Sequence, residues 1–263
     1  MKIGFLQFEP KHLDSTFNAK FIQIILDSAD FDLMVLPELA NTGYLHDDQT
    51  ALFDTSEPAD GSGIFLSSLI AAAREHDACI ISGFSEREGS RLYNSAVAVD
   101  ESGVINHYRK THLFYKEKGL FKPGDSGFSV FGFRGVIIGM MVCFDWFFPE
   151  SARTLALKGA QIIAHPANLV LPWCQTAMVT RSLENHVFSI TANRVGIEIG
   201  QGEEIEFTGA SQILDPNGKC LAKAEEHSIQ FAIVDDEPEK ALNKRLNAYN
   251  DLFDDRKPIH YKR

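Results

Sequence analysis

Short apolar runs alternate with stretches of helical spacing along the whole chain. "KIGFLQF" and "LMVLPE" read as short buried strands. Between them, Ser15 to Ser28 places Phe17, Phe21, Ile24 and Ile25 at helical intervals, which predicts an amphipathic helix. A second helix is predicted over Ile64 to Glu75, where Phe65, Leu66, Leu69, Ile70 and Ala73 share one face. Three strands are then expected in "ACIISGFSE", "LYNSAVAVD" and "VINHYRKTHLF". Glu88-Gly89-Ser90 and Glu101-Ser102-Gly103 supply the turns between them.

"FSVFGFRGVIIGMMVCFD" predicts a hairpin whose second arm is wholly buried. Pro149 then stands where a helix should open, and Gly159 where its C-terminal cap should be. "AQIIAHPAN" is another buried strand, and Pro172 is expected to open a helix to about Val187. Strands follow in "FSITANRVG", "GASQILD" and "SIQFAIVD", and Asp235 or Asp236 could cap a last helix through Leu242. Strands that alternate with helices, and runs such as Val136 to Val142 that suit burial on both faces, predict an α/β layered sandwich. With no Pro/Gly/Ser-rich linker, residues 1–263 are read as one domain.

Composition narrows the function. A chain of 263 residues can bury a sizeable core. Its formal charge of −11 disfavours nucleic acid and anionic membranes as partners, because phosphate binding needs clustered Lys and Arg. The C-terminal "RKPIHYKR" is too short a basic cluster to change this and reads as a solvated tail. No run approaches the roughly 18–20 apolar residues of a membrane span. "MKIGFLQFEP" is too short in its apolar part for a secretory signal, so the cytoplasm is expected. The four cysteines have long irregular spacings, and the histidines form no H-x-x-x-H or H-E-x-x-H. Neither a disulfide framework nor a metal is expected, and without G-x-G-x-x-G or a P-loop no nucleotide cofactor is expected either.

Four positions are candidates for chemistry. Cys143 ends a buried run just before a turn and a helix. It is either a small inert filler or a nucleophile raised beside backbone N–H groups that hold an oxyanion. A free thiol has a pKa of about 8.5, so a nucleophile there needs a base or a positive neighbour. Glu38, in "LPELANTGY", is either a surface acid or a carboxylate in the crevice at the carboxyl end of a strand. Lys110, in "HYRKTHLF", is either solvated on an edge strand or buried on a face shared with Tyr108 and His112, which requires carboxylate partners. Glu117 follows in "YKEKGLFKPGD", flanked by lysines.

In combination, "LPELANTGY", "YRKTHLF" and "CFDWFFPE" resemble the nitrilase superfamily of carbon–nitrogen hydrolases. The likeness extends through "YNSAVAV", "FKPGD", "ESARTLALKGAQIIAHPAN", "RSLENHVF" and "ITANRVG", most specifically over 30–196. It implies a four-layer α-β-β-α sandwich, commonly a homodimer or higher homo-oligomer. The tail from about 246 to 263 is expected to be extended and is a candidate dimer contact. The resemblance also implies a Glu-Lys-Cys triad matching Glu38, Lys110 and Cys143, with a further site glutamate matching Glu117. In those roles Glu38 is the acid–base. Lys110 and the Phe144 N–H stabilise the oxyanion. Glu117 aligns the substrate's NH₂. Tyr44, Phe144 and Asn168 are candidate pocket residues. Phe144, Trp146 and Phe147 either wall the site, pack the helix from 149 to 158, or make a dimer contact.

The expected activity is hydrolysis of a small aliphatic amide to carboxylate and ammonia. A nitrile is the nearest alternative substrate. An N-carbamoyl amine is another, and a carbamoyl amino acid would favour an arginine clamp, for which Arg181 and Arg194 are candidates that equally suit structural ion pairs. A non-catalytic scaffold is disfavoured by the intact Glu38, Lys110, Glu117 and Cys143.

Overall fold

The computed structural model describes residues 1–261, so Lys262 and Arg263 of the tail lie outside the described residues. In chain order the first half holds β1 (Lys2–Gln7), α1 (Ser15–Leu26), β2 (Leu33–Val35), α2 (Gln49–Thr55), α3 (Ile64–Glu75), β3 (Cys79–Glu88), β4 (Arg91–Asp100), β5 (Gly103–Arg109) and α4 (Glu117–Leu120). The second half holds β6 (Val130–Phe133), β7 (Val136–Met140), α5 (Pro149–Leu157), β8 (Ile162–Pro166), α6 (Cys174–Asn185), β9 (Phe188–Ala192), β10 (Ile197–Gly200), β11 (Glu203–Glu206), β12 (Gln212–Leu214), β13 (Cys220–Lys223) and β14 (Gln230–Asp235).

Two six-stranded sheets form, ordered β14-β1-β2-β3-β4-β5 and β13-β12-β9-β8-β7-β6. The strands β1, β2 and β3 are parallel, as are β7, β8 and β9, because helical crossovers join them. Side-chain alternation assigns the layers. Ile3, Phe5, Leu33, Val35, Ile81, Ala96 and Ala98 face the second sheet and share a core with Ile138, Met140, Ile162 and Ile190. Met34, Leu36, Ile80, Val97 and Val99 point the other way, onto Ile22, Leu26, Phe65 and Leu69 of α1 and α3. With α5 and α6 on the far side of the second sheet, the order is α-β-β-α, the α/β sandwich expected.

Pro149 opens α5 as predicted, and Gly159 follows its C-cap with φ of +95°. Other boundaries differ. The strand expected through Phe114 stops at Arg109, because the Lys110 carbonyl turns to accept the Gly124 N–H at 2.9 Å. The sixth helix begins at Cys174 rather than Pro172 and ends at Asn185, where left-handed His186 stops it. A capped last helix is replaced by a short 3₁₀ turn, Pro238–Leu242, preceded by Glu237. The helices α2 and α4 and the strands β10, β11 and β13 are not among the elements that the apolar pattern predicts. The tail is not simply extended. Asn247 and Asp251 accept nearby backbone N–H groups and fold it into turns, and Phe253 packs against the core beneath Arg153 and Lys244.

Candidate active site

The loop after β2 delivers Glu38. It stays zipped to β3, with Leu36 N–H on Ile81 O (2.7 Å), Gly83 N–H on Pro37 O (3.0 Å) and Ala40 N–H on Gly83 O (3.0 Å). The approach is so close that a Cβ on Gly83 would stand 2.4 Å from the Glu38 Cα, and only glycine fits. Leu39, at φ of +48°, then turns the chain away and leaves Glu38 fully buried.

Lys110 follows β5, its N–H bonded to the Asn94 carbonyl on β4 at 2.8 Å. Its ammonium, fully buried, lies 2.6 Å from Glu38 Oε1 and 2.8 and 2.9 Å from Glu117 Oε1 and Oε2. Glu117, opening α4, also accepts the Tyr44 hydroxyl at 2.9 Å. The buried pairing that a lysine here requires is therefore met by two carboxylates.

Tyr44 is itself held from behind. Glu198 Oε2 accepts the Tyr44 and Leu45 N–H groups at 2.9 and 2.7 Å, and Glu198 pairs with buried Arg194. The Arg194 guanidinium lies 4.0 Å over the Phe207 ring, which makes a T-shaped contact with Tyr44. Arg181 bonds the Trp146 carbonyl and Glu184. Both arginines are thus engaged in structural contacts.

Cys143 begins a 3₁₀ turn, Cys143–Phe147, with φ of +39°, a conformation that an L-residue with a Cβ takes at a cost. Asp145 holds the turn. Its Oδ2 accepts the Val142 N–H (2.9 Å) and the Tyr108 hydroxyl (2.7 Å), and its Oδ1 meets His112 Nδ1 at 2.7 Å. Tyr108 and His112 flank Lys110, so one carboxylate fastens the nucleophile turn to the lysine segment. Buried His165 donates from Nε2 to the Cys143 carbonyl at 2.9 Å. Burial lowers its pKa to about 4, so it is a neutral donor. As the first groups of the turn, the Cys143 and Phe144 N–H groups have no partner within it. The thiol points at the Asn168 carbonyl, 3.7 Å away.

Burial pushes the Cys143 thiol well up, Glu38 adds to this, and Lys110 only partly opposes it. The resting sulfur is therefore a thiol, and the lysine alone does not make it a thiolate. Burial alone would lower Lys110, but Glu117 and Glu38 outweigh it and its ammonium is held charged. Burial raises Glu117 to about 7 despite Lys110. Glu38 Oε2 is buried without a partner, as are both side-chain polar atoms of Asn168.

A narrow pocket with about 20 Å³ of free volume opens beside the sulfur, lined by Phe114, Cys143, Phe144, Trp146, Asn168 and Leu169. It adjoins, at Val170, a wider cleft of about 480 Å³. Phe144 and Trp146 thus wall the pocket. Phe147 is half exposed, and Phe148 stacks on His112 with ring centroids 3.8 Å apart. Glu38, Lys110, Glu117, Tyr44, Phe144, Cys143 and Asn168 converge on this one region. Sequence reasoning missed Asn94, Asp145 and His165. All three lie inside the segments that carry the likeness, "YNSAVAV", "CFDWFFPE" and "AQIIAHPAN", but nothing in their spacing reveals their partners. Among the described residues no group of three His, Cys, Asp or Glu side chains could hold a metal.

The carbon-nitrogen hydrolase family model matches residues 3–240. The chain is 42% identical to a nitrilase of Pyrococcus abyssi, over 99% of both chains. It is 33% identical to an (R)-stereoselective amidase of a Pseudomonas species, over 89% of this chain and 84% of that one. A mutant of the Nesterenkonia AN1 amidase, from the nitrilase superfamily, superposes with a TM-score of 0.79 at 26% identity, covering 94% of each chain. Another mutant of that amidase, in complex with butyramide, superposes with a TM-score of 0.78 at 25% identity over 94% of each chain. The match over nearly its whole length, on the same four-layer fold, establishes that this chain belongs to the carbon–nitrogen hydrolase family, as a nitrilase/amidase-type hydrolase.

Proposed function

We propose that the protein hydrolyses a small, uncharged aliphatic amide to carboxylate and ammonia through a Cys143 thioester. The observation that carries this reading is the buried Glu38–Lys110–Glu117 cluster acting on a protonated thiol beside an apolar pocket. The unpartnered Glu38 Oε2 takes the sulfur's proton as the thiolate attacks the carbonyl carbon. Lys110 and the Phe144 N–H stabilise the tetrahedral oxyanion. Glu117 accepts a hydrogen bond from the substrate's NH₂. Glu38 returns the proton to the nitrogen as the C–N bond breaks and ammonia leaves. It then takes a proton from water, which attacks the thioester and frees the acid and the thiol.

The pocket wall supplies no charged side chain, which fits an uncharged acyl group, and the butyramide held by the Nesterenkonia amidase has that chemistry. The 42% identity to a nitrilase favours a second reading, in which a nitrile passes through a thioimidate. Ammonia release from butyramide and butyronitrile, with the mass of the trapped acyl-enzyme, tests both. Release from neither, by protein whose Cys143 alkylates normally, would sink this reading.

Free cysteines support action in a reducing compartment, the cytoplasm. Exposed Phe147, Leu157, Trp173, Val179 and Leu183 on the α5–α6 layer support a homodimer, which light scattering would test.

A further inference from the structure

Asn94 stands at the middle of the charge cluster and belongs to none of the roles above. It lies on β4, buried, between the segments that carry Glu38 and Lys110. Its Nδ2 lies 2.7 Å from Glu38 Oε1 and 3.3 Å from Glu117 Oε2. Two carboxylates on one side of the amide require the NH₂ to face them, since its oxygen would be repelled. Its backbone carbonyl accepts the Lys110 N–H, so one residue touches all three charged partners of the sulfur.

We infer that Asn94 is a positioning residue for the reaction, which fixes both glutamates by one amide and leaves Glu38 Oε2 as the oxygen that exchanges protons with Cys143. Glu38 Oε1 receives the Lys110 ammonium and the Asn94 amide, while Oε2 receives nothing and is buried. Glu117 receives Lys110, Tyr44 and the longer arm of the same amide. A proton leaving the sulfur therefore meets the one carboxylate oxygen with open lone pairs. With the amide removed, Glu38 is free to rotate about its last torsion and to present either oxygen to Lys110. The groups that face this cluster are Lys110, Glu38, Glu117, Tyr44 and Cys143, with neutral His165 behind the nucleophile turn. Hydrogen bonds to a carboxylate favour its ionised form, so losing two of them should make ionisation harder for the cluster as a whole.

This inference rests on the reading of Glu38 as the base, and the test separates the two. Alkylation of Cys143 by iodoacetamide, followed on its own peptide by mass spectrometry, needs no amide turnover. A sulfur–carbon bond forms, iodide leaves and the thiol proton passes to Glu38. Asn94→Leu removes the donors at similar volume. It should lower kcat roughly 10- to 100-fold with little change in KM, and move the acid limb of both alkylation and kcat to higher pH. Asn94→Asp keeps the shape and adds a negative charge, so it should move the limb further the same way, which serves if the leucine variant does not fold. A variant that melts like the wild type and keeps its kcat and acid limb overturns the inference. A shifted alkylation limb in a protein that hydrolyses no amide would sustain the inference and sink the amidase reading.

Discussion

The Lys110 ammonium stands 2.6 Å from Glu38 Oε1, although the two residues are 72 positions apart and neither side chain reaches solvent. Charges that deep are tolerated because each is the other's counter-ion, with Glu117 completing the set. Lys110→Met should therefore strand two buried carboxylates and cost about 3–5 kcal/mol of stability. Adding Glu38→Gln and Glu117→Gln should recover much of that loss while leaving the protein inactive. Urea denaturation checks both, and a single variant as stable as the wild type would mean the cluster is not closed.

Cys143→Ala removes one sulfur from a turn already held by Asp145 and His165. Turnover should vanish while stability changes by about 1 kcal/mol or less. Ammonia release beside a thermal melt reads both quantities. Normal turnover in the variant excludes a thioester route.

Glu117 is drawn up to about 7, first by burial. If its carboxylate must be ionised to accept the substrate's NH₂, kcat/KM should rise with pH across neutrality. Glu117→Gln should lose roughly 10- to 100-fold in turnover, keep its fold, and flatten that rise. Activity that instead falls between pH 6 and 8 would contradict the acceptor role.

Burial holds His46 and His165 at about 4, below the ordinary 6.5. Between those values the unfolded chain binds more protons than the native one, so stability rises with pH. The stabilisation is complete above about pH 6.5 and is lost on acidification toward 4, on the order of 3 kcal/mol for each histidine. Glu117 partly offsets this, because its native form takes up a proton the unfolded chain does not. Melting temperatures should fall from pH 7 to 5, and His46→Gln should make that fall shallower. A pH-independent melt would refute the assignment.

Gly83→Ala would bring a methyl to 2.4 Å from the Glu38 Cα. Overpacking of this kind costs about 1–3 kcal/mol. The larger effect should be on kcat, since the displaced residue is Glu38. Equal kcat in the variant would show that the loop can shift without moving the carboxylate.

Much of the fold was legible because apolar periodicity is a local property of the chain. Phe65, Leu66 and Leu69 line the buried face of α3 as their spacing requires, and Pro149 opens its helix because a first-turn N–H needs no partner. The breaks in legibility are long-range. The strand β5 ends at Arg109 because Gly124 competes for the Lys110 carbonyl, which no window around Lys110 reveals. The tail turns at Asn247 and Asp251 through side-chain contacts that polar composition alone leaves undirected.

For the site, sequence determined the residue types, their order and the family likeness they carry. Only tertiary structure decided which charges meet. Glu38 and Lys110 reach each other across the β3–β4–β5 sheet, and Asn94 takes its place between carboxylates because sheet register brings it there. It decided also that Cys143 rests as a thiol, since that follows from burial and the balance of three neighbouring charges, both of which are properties of distance in space.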